Sequence, residues 1–385
     1  MPTMKKVCIV CDTGSGRLGG HYTQYAFCGL PAVKICAVSD ANPQADWEFH
    51  KRTGAERFYS SYQEMIEKET PDIAVLCSRL PGEHYPQIKF ALEHHCHVLC
   101  EKPLADDLEQ ADELIELANR NHCKVQIAHL ARFAPAFQEM KRQIDSGAIG
   151  KVLSCYMRGK EETRGGGEDM MVLGTHVMDI ACYLLGDPLS VYSDIRVNGE
   201  FIRKGEYLPT EEPLGLCTGD EIFSHYRFPN GVNGIFESRR NTVPKSQIIR
   251  LGIVVSGTAG ALSVRYEGER QLHLSRNFPV PQEDEAHFEV LPLPEEEPIP
   301  GAEEMDFVKW NANKENPLHR YFTGNNRRAA YDLLMSIEKD STPRADLCSA
   351  RMSLEMILGA YRSALEKCLV ELPLTDRTHP LSADS

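Results

Sequence analysis

The feature that most limits what this chain can fold into is the alternation of short apolar runs with helical patterns over its first 125 residues. Val7–Cys11 is apolar and is followed by glycines. Leu18–Leu30 reads as helical, and Val33–Val38 is a second apolar run ending at Ser39-Asp40. Tyr62–Lys68, Tyr85–His94 and Leu108–Asn119 have helical spacing, and Ile73–Cys77, His97–Cys100 and Lys124–Ala128 are the apolar runs around them. Strands that alternate with helices need crossover connections, so a parallel sheet is expected. Near-continuous apolar strands require helices on both faces of that sheet. The texture changes after Gly147-Ala148-Ile149-Gly150. Lys151–Arg158 alternates as a strand, and a glycine-rich stretch and a helix to Leu185 follow. Val191–Leu274 then alternates in strands separated by turns such as Pro229-Asn230-Gly231, the pattern of an antiparallel sheet. Helices are expected at Asn326–Ser336 and Arg351–Leu365, and residues 281–306, with ten acidic residues and no Lys or Arg, read as an exposed loop.

A length of 385 residues fits two domains. Charge narrows the partners: 42 Lys+Arg against 56 Asp+Glu give a net −14, which lacks the positive field that grips phosphate backbones. Nucleic acid and membrane are therefore excluded as expected partners. No apolar run reaches the ~20 residues of a membrane span, and the N-terminus lacks a signal-peptide pattern, so a cytoplasmic location is expected. The 13 cysteines are odd in number and sit mostly in apolar runs, as reduced buried thiols would.

Gly14-Ser15-Gly16-Arg17-Leu18-Gly19 matches G-x-G-x-x-G between the first strand and the first helical pattern. Glycines let backbone N–H groups approach a pyrophosphate, and a helix N-terminus favours negative charge. Asp40 ends the second strand, 26 residues after Gly14, where a carboxylate hydrogen-bonds ribose hydroxyls. Such a carboxylate repels a 2′-phosphate, so NAD is favoured over NADP. Gly14, Gly16, Arg17, Leu18, Gly19 and Asp40 are the expected cofactor contacts, with Arg79 and His84 flanking Pro81-Gly82 beyond the third strand.

The next apolar strand ends in Cys100-Glu101-Lys102-Pro103, at a sheet edge where ligands bind. Here the sequence resembles the Gfo/Idh/MocA oxidoreductases. The resemblance rests on four features: the glycine loop ending in Gly20-His21 with Ala37-Val38-Ser39-Asp40 after it; His84 ahead of His97–Leu104; Arg132-Phe133 then Pro135, followed by Gly147–Val152; and Gly174-Thr175-His176 with Asp179. It implies a Rossmann domain, placed at 1–128, and a C-terminal α+β domain at 129–385 with a large open, mostly antiparallel sheet, whose final helices are free to pack back on the first domain. It implies NAD(P)-dependent hydride transfer between a nicotinamide cofactor and a secondary hydroxyl of a sugar, glycoside or cyclitol, in homodimers or homotetramers. Lys102 would orient the hydroxyl, His176 would be the general base, and Glu101 and Pro103 would shape the cofactor pocket.

Spacing adds that His176, Asp179 and Tyr183 share a helix face, so Asp179 is placed to polarise His176. The family's cyclitol dehydrogenases carry an Asp four residues before the histidine, where this chain has Val172. Glu168 and Asp169, one turn earlier, are the expected substitutes. Arg132, Tyr156 and Arg158 complete the expected substrate contacts. Two alternatives stay open: an NAD-dependent glycoside hydrolase working by transient oxidation and elimination, and a non-catalytic nucleotide sensor. Cys8-Ile9-Val10-Cys11 and His94-His95-Cys96-His97 are read as packing and surface residues, and no metal site is expected.

Overall fold

The computed structural model describes residues 3–14, 21–42, 44–45, 47–212, 214–244, 251–266, 271–276 and 288–382. The chain divides into two compact units, Met1–Ala105 with Gln110–Phe133 and Glu297–Cys348, and Asp106–Glu109 with Ala134–Glu296 and Ser349–Ser385. Both are discontinuous, where the sequence suggested one cut near residue 128.

In the first unit β1 (Lys5–Cys11), β2 (Val33–Asp40), β3 (Arg57–Tyr59), β4 (Ile73–Leu76), β5 (His97–Cys100) and β6 (Val125–Ile127) form a parallel sheet in the order β3-β2-β1-β4-β5-β6. The chain reverses its winding direction between β1 and β4, which opens a crevice at their C-terminal ends. Val7, Cys8, Ile9, Val38, Ile73 and Val98 are at most 1% exposed, as two-sided burial requires. The helices Tyr62–Glu69, Pro81–Glu93 and Leu108–Arg120 match the periodicity. Ser61 caps the first by accepting from the Glu64 N–H at 3.3 Å, and Pro81 opens the second where no N–H is needed.

Leu18–Leu30 departs from expectation. Over its described part the chain forms only a 3₁₀ turn at Thr23–Tyr25, bounded by Tyr22 at φ 60° and Gly29 at φ 68°. A left-handed residue at each end stops a helix from propagating. The unit is completed by residues that return late in the chain. The helix Pro317–Lys339 belongs to it, Trp310 stacks on Tyr25 at 5.6 Å, and the Ile127 N–H of β6 donates to the Ala345 carbonyl at 2.8 Å.

The second unit carries β7 (Val152–Arg158), β8 (Ser190–Val197), β9 (Glu200–Phe201), β10 (Glu221–Arg227), β11 (Asn233–Arg239), β12 (Gly252–Gly257), β13 (Gly260–Arg265), β14 (Leu272–Ser275), β15 (Glu289–Leu291) and β16 (Val370–Glu371). Their order is β15-β14-β13-β12-β7-β11-β10-β8-β16, with β9 on β8, and only β7 and β11 pair in parallel. The helices Thr175–Leu185 and Leu347–Glu366 belong with one face of this sheet. A Cβ on Gly174 would come 3.1 Å from Phe236 of β11, and the Tyr226 hydroxyl of β10 donates to the Met356 carbonyl at 3.1 Å. The opposite face carries Tyr192 and Phe223, 45% and 41% exposed. Beyond β15 the acidic stretch is exposed, as its charge demands, while residues 281–287 lie outside the described set. Among the described residues no helix is long and apolar enough to cross a membrane.

Candidate active site

Register aligns one side chain from each central strand along the C-terminal edge of the first sheet. Cys11 pairs with Asp40, the Cys77 N–H donates to the Val10 carbonyl, and the Glu101 N–H donates to the Leu76 carbonyl. Asp40, Cys11, Cys77 and Glu101 therefore form a row across β2, β1, β4 and β5. Each end of the row is a carboxylate with its own histidine.

Glu101 is 2% exposed. It accepts from the Thr23 hydroxyl, and from His21 Nδ1 at 3.2 Å. Burial pushes its carboxyl up, but His21, Thr23 and the Lys102 charge outweigh burial and bring it down to about 2. For His21 burial is the largest influence and holds the ring below its ordinary value, against the pull of Glu101. The pair is an ionised carboxylate accepting from the imidazole. His21 is held in turn by stacking on Phe322 at 4.7 Å and by the Asn326 amide, which donates to its carbonyl at 2.7 Å.

Lys102, next along the chain, is 5% exposed, and the Lys102–Pro103 peptide is cis. The Pro103 carbonyl is met by His84 Nδ1 at 2.5 Å, while His84 Nε2 lies 2.8 Å from the Ser78 carbonyl. His84 is fully buried and ties the loop after β4 to the Glu-Lys-Pro turn. It is a strut inside the wall, not the outward cofactor contact expected. Arg79 stands half-buried on the same loop, and its charge acts on His21.

Asp40, expected to face a ribose, is 1% exposed, and both its oxygens accept from the protein. The Thr13 hydroxyl donates at 2.6 Å, the Asn42 N–H at 2.9 Å, and His50 Nε2 lies at 3.0 Å. Burial opposes its ionisation, but these bonds hold the carboxyl below its usual range. Burial lowers His50, yet its bonds to Asp40 and Cys11 raise it to about 9. Asp40 thus fixes the turn at Thr13 that leads into Gly14. At Gly14 an added Cβ would meet Asp12 at 3.4 Å and Asn42 at 3.5 Å, so the backbone lies open where a side chain would sit. Gly16, Arg17, Leu18 and Gly19 lie outside the described residues. The switch point, the bare backbone at Gly14 and the buried Asn326 Oδ1, which has no partner, fit a dinucleotide at this edge.

In the second unit His176 is 7% exposed near the start of the helix Thr175–Leu185, and Asp179 is buried on that helix. A π-helical turn at Met170–Gly174 precedes it, a local widening of the helix that recurs at functional sites. Tyr266 lies beside His176 with ring centroids 5.1 Å apart, and also touches Phe137 at 5.6 Å.

The residues expected to replace the carboxylate missing at Val172 are committed elsewhere. Glu168 accepts from the N–H groups of Glu211 and Glu212, both at 2.9 Å, and burial raises its carboxyl. Asp169 is fully buried and accepts from the Ser238 hydroxyl at 2.6 Å and the Glu161 N–H at 3.1 Å. Burial raises it to about 6 against those bonds. A Cβ on Gly159 would collide with it, so the carboxylate fills that glycine's space. Tyr156 and Arg158 depart further. The sheet's helix-covered face carries Met157 and Phe236, so alternation turns Tyr156 and Arg158 to the opposite face, away from the side that packs on Gly174. There Arg158 bonds Glu161 at 2.8 Å and Glu237. Arg132, in the first unit, donates to the Arg344 carbonyl at 2.8 Å.

A doubly wound sheet with a glycine turn at its switch point, and two ionised carboxylates and a lysine along the same edge, defines a dinucleotide-binding fold. Residues 6–129 match the oxidoreductase family with NAD-binding Rossmann fold, and residues 137–263 match the Gfo/Idh/MocA C-terminal domain. The chain belongs to the Gfo/Idh/MocA family. It is similar to levoglucosan dehydrogenase of Pseudarthrobacter phenanthrenivorans, 28% identical over 72% of this chain and 78% of that protein. It is also similar to D-glucoside 3-dehydrogenase of Escherichia coli, 27% identical over 58% and 67%. A solved structure of levoglucosan dehydrogenase in complex with NADH shares the fold with a TM-score of 0.73 at 18% identity, over 96% of this chain and 99% of that one.

Proposed function

We propose that this chain is an NAD-dependent dehydrogenase that oxidises a secondary hydroxyl of a sugar, glycoside or cyclitol. The observation that carries the reading is the strand-end turn at the switch point, where ionised Glu101 precedes buried Lys102 in a chain of this family. When bound, NAD supplies the hydride acceptor. Lys102 steadies the hydroxyl oxygen on the carbon that gives up the hydride, its positive charge opposing the negative charge that develops there. His176 receives the hydroxyl proton on a ring nitrogen. Tyr266 and the helix Thr175–Leu185 hold that ring, and Glu101 with His21 and Thr23 fixes the backbone from which Lys102 projects. The names of the relatives support the substrate class.

Redox-neutral glycoside cleavage needs a further acid or base, and Glu168 and Asp169 are bound to backbone N–H groups, which favours plain oxidation. The open sheet face with Tyr192 and Phe223 supports a homo-oligomer, checked by sedimentation of Phe223→Glu. The test of function is NADH absorbance across a panel of sugars, glycosides and cyclitols, with free aglycone recorded in parallel. Lys102→Ala and His176→Ala are each expected to lower kcat by roughly 10²–10⁴-fold with NAD affinity retained for His176→Ala. Aglycone release without NADH, or full turnover by both variants, overturns the reading.

A further inference from the structure

Asp40 stands where a doubly wound fold puts the carboxylate that bonds the adenosine ribose, yet its own bonding leaves it no acceptor site to offer. An ionised carboxylate accepts about four hydrogen bonds. Asp40 already has the Thr13 hydroxyl at 2.6 Å, the Thr13 N–H at 3.3 Å, the Asn42 N–H at 2.9 Å and His50 Nε2 at 3.0 Å. It is 1% exposed, and His50 is fully buried. Burial lowers His50, but its bonds, that to Asp40 foremost, raise it to about 9. The imidazole is therefore protonated at neutral pH, and the pair carries no net charge.

Asn42 is the next side chain along this edge. It is half-buried and lies against Gly14, where an added Cβ would come 3.5 Å from the Asn42 Cβ. Its Oδ1 accepts from the Gln44 N–H at 3.0 Å, and its Nδ2 donates to the Thr13 hydroxyl oxygen at 3.0 Å. An amide nitrogen carries two N–H groups, so one is left over. Asp12, the other carboxylate near Gly14, belongs to the glycine turn and bears on the pyrophosphate, which NAD and NADP share.

We propose that Asn42, and not Asp40, is the residue that meets the adenosine ribose, and that the chain therefore binds NADP as well as NAD. The proposal rests on the dinucleotide reading of this edge. A carboxylate at the ribose selects NAD in two ways: it accepts from the hydroxyls, and its charge repels a 2′-phosphate. Neither operates here. The acceptor sites of Asp40 are filled, and the imidazolium 3.0 Å away offsets its charge at the distance of a phosphate. An amide N–H donates to a hydroxyl oxygen and to a phosphate oxygen alike. Asp40 is a positioning residue that holds Thr13 and Asn42, and through them the turn into Gly14.

The test is calorimetric titration of the full chain, freed of nucleotide, with NAD and with NADP, and the readout is the ratio of the two Kd values. The two are expected to agree within about tenfold. A larger ratio in favour of NAD overturns the proposal and leaves the dehydrogenase reading standing, whereas heat with neither dinucleotide overturns that reading and the proposal with it. Asn42→Asp puts a charge where NAD-selective sites carry one, and it is expected to shift the ratio towards NAD by about tenfold or more. Asp40→Asn is expected to weaken both dinucleotides by like factors and leave the ratio unchanged, because the His50 proton leaves with the carboxylate charge. An Asp40→Asn protein that loses NAD and gains NADP shows that Asp40 reads the ribose and overturns the proposal, as does an Asn42→Asp ratio equal to that of the parent.

Discussion

Two sets of buried carboxylates occupy the two units, and their surroundings push them in opposite directions. At the first sheet's edge Asp40 and Glu101 each meet a histidine and a threonine hydroxyl, and both are held below the usual carboxylate range. In the second unit Glu168 and Asp169 meet backbone N–H groups and a serine, and burial raises both. Burial is common to the two regions, so it does not decide. What decides is the kind of donor at each oxygen, a histidine beside each carboxylate of the first pair and only hydroxyl and backbone N–H groups at the second. The first arrangement keeps negative charge fixed beside a lysine, as a site for a charged cofactor needs. The second spends its carboxylates on holding a loop closed.

The largest effect expected is from Glu101→Ala. It leaves His21 and Thr23 without their acceptor and removes the negative charge beside buried Lys102, and removing one member of a buried pair costs about 3–5 kcal/mol. Urea unfolding measures it, and a loss under ~1 kcal/mol removes the contrast between the regions. Next in size is the response of His50 to alkali. Its pKa is raised from 6.5 to about 9, so its stabilisation is complete below pH 6.5 and disappears as pH rises through about 9. His50→Gln is expected to flatten stability across that window, read from midpoints at each pH. The carboxylates give opposed slopes in acid. Glu101, lowered to about 2, contributes stability above pH 4.5 that is lost as pH falls towards 2. Asp169, raised to about 6, binds its proton more tightly when folded, so its contribution is present below pH 3.8 and is lost as pH rises through about 6. The smallest effect is therefore Asp169→Asn at pH 7, about 1 kcal/mol or less, with the slope between pH 4 and 6 abolished. A loss as large as that of Glu101→Ala would place a needed charge in the second unit.

The parallel strands of the first unit were legible because they are apolar on both faces, and Glu101 stood out because it ends one of them. Leu18–Leu30 misled because apolar spacing says nothing of the left-handed backbone at Tyr22. Tyr156 and Arg158 misled for a different reason. Alternation along β7 separates two faces, but only β11, far along the chain, shows through Phe236 which one the helix covers. His50, Thr13 and Tyr266 carried no local signal at all. Each acquires its role from a partner on another segment, Asp40 for the first two and His176 for the third.

The late return of residues 297–348 to the first unit bears on how the protein is made. A ribosome that has released Phe133 has delivered all six parallel strands, yet Ala345, which bonds Ile127 of β6, and Trp310, which covers Tyr25, are still more than a hundred and fifty codons away. The nascent sheet must wait with that edge and that aromatic surface bare while β7 to β15 of the second sheet are translated. Chaperone demand during synthesis should therefore fall on the half that emerges first, and a fragment ending at Phe133 should aggregate although it holds every strand of its sheet.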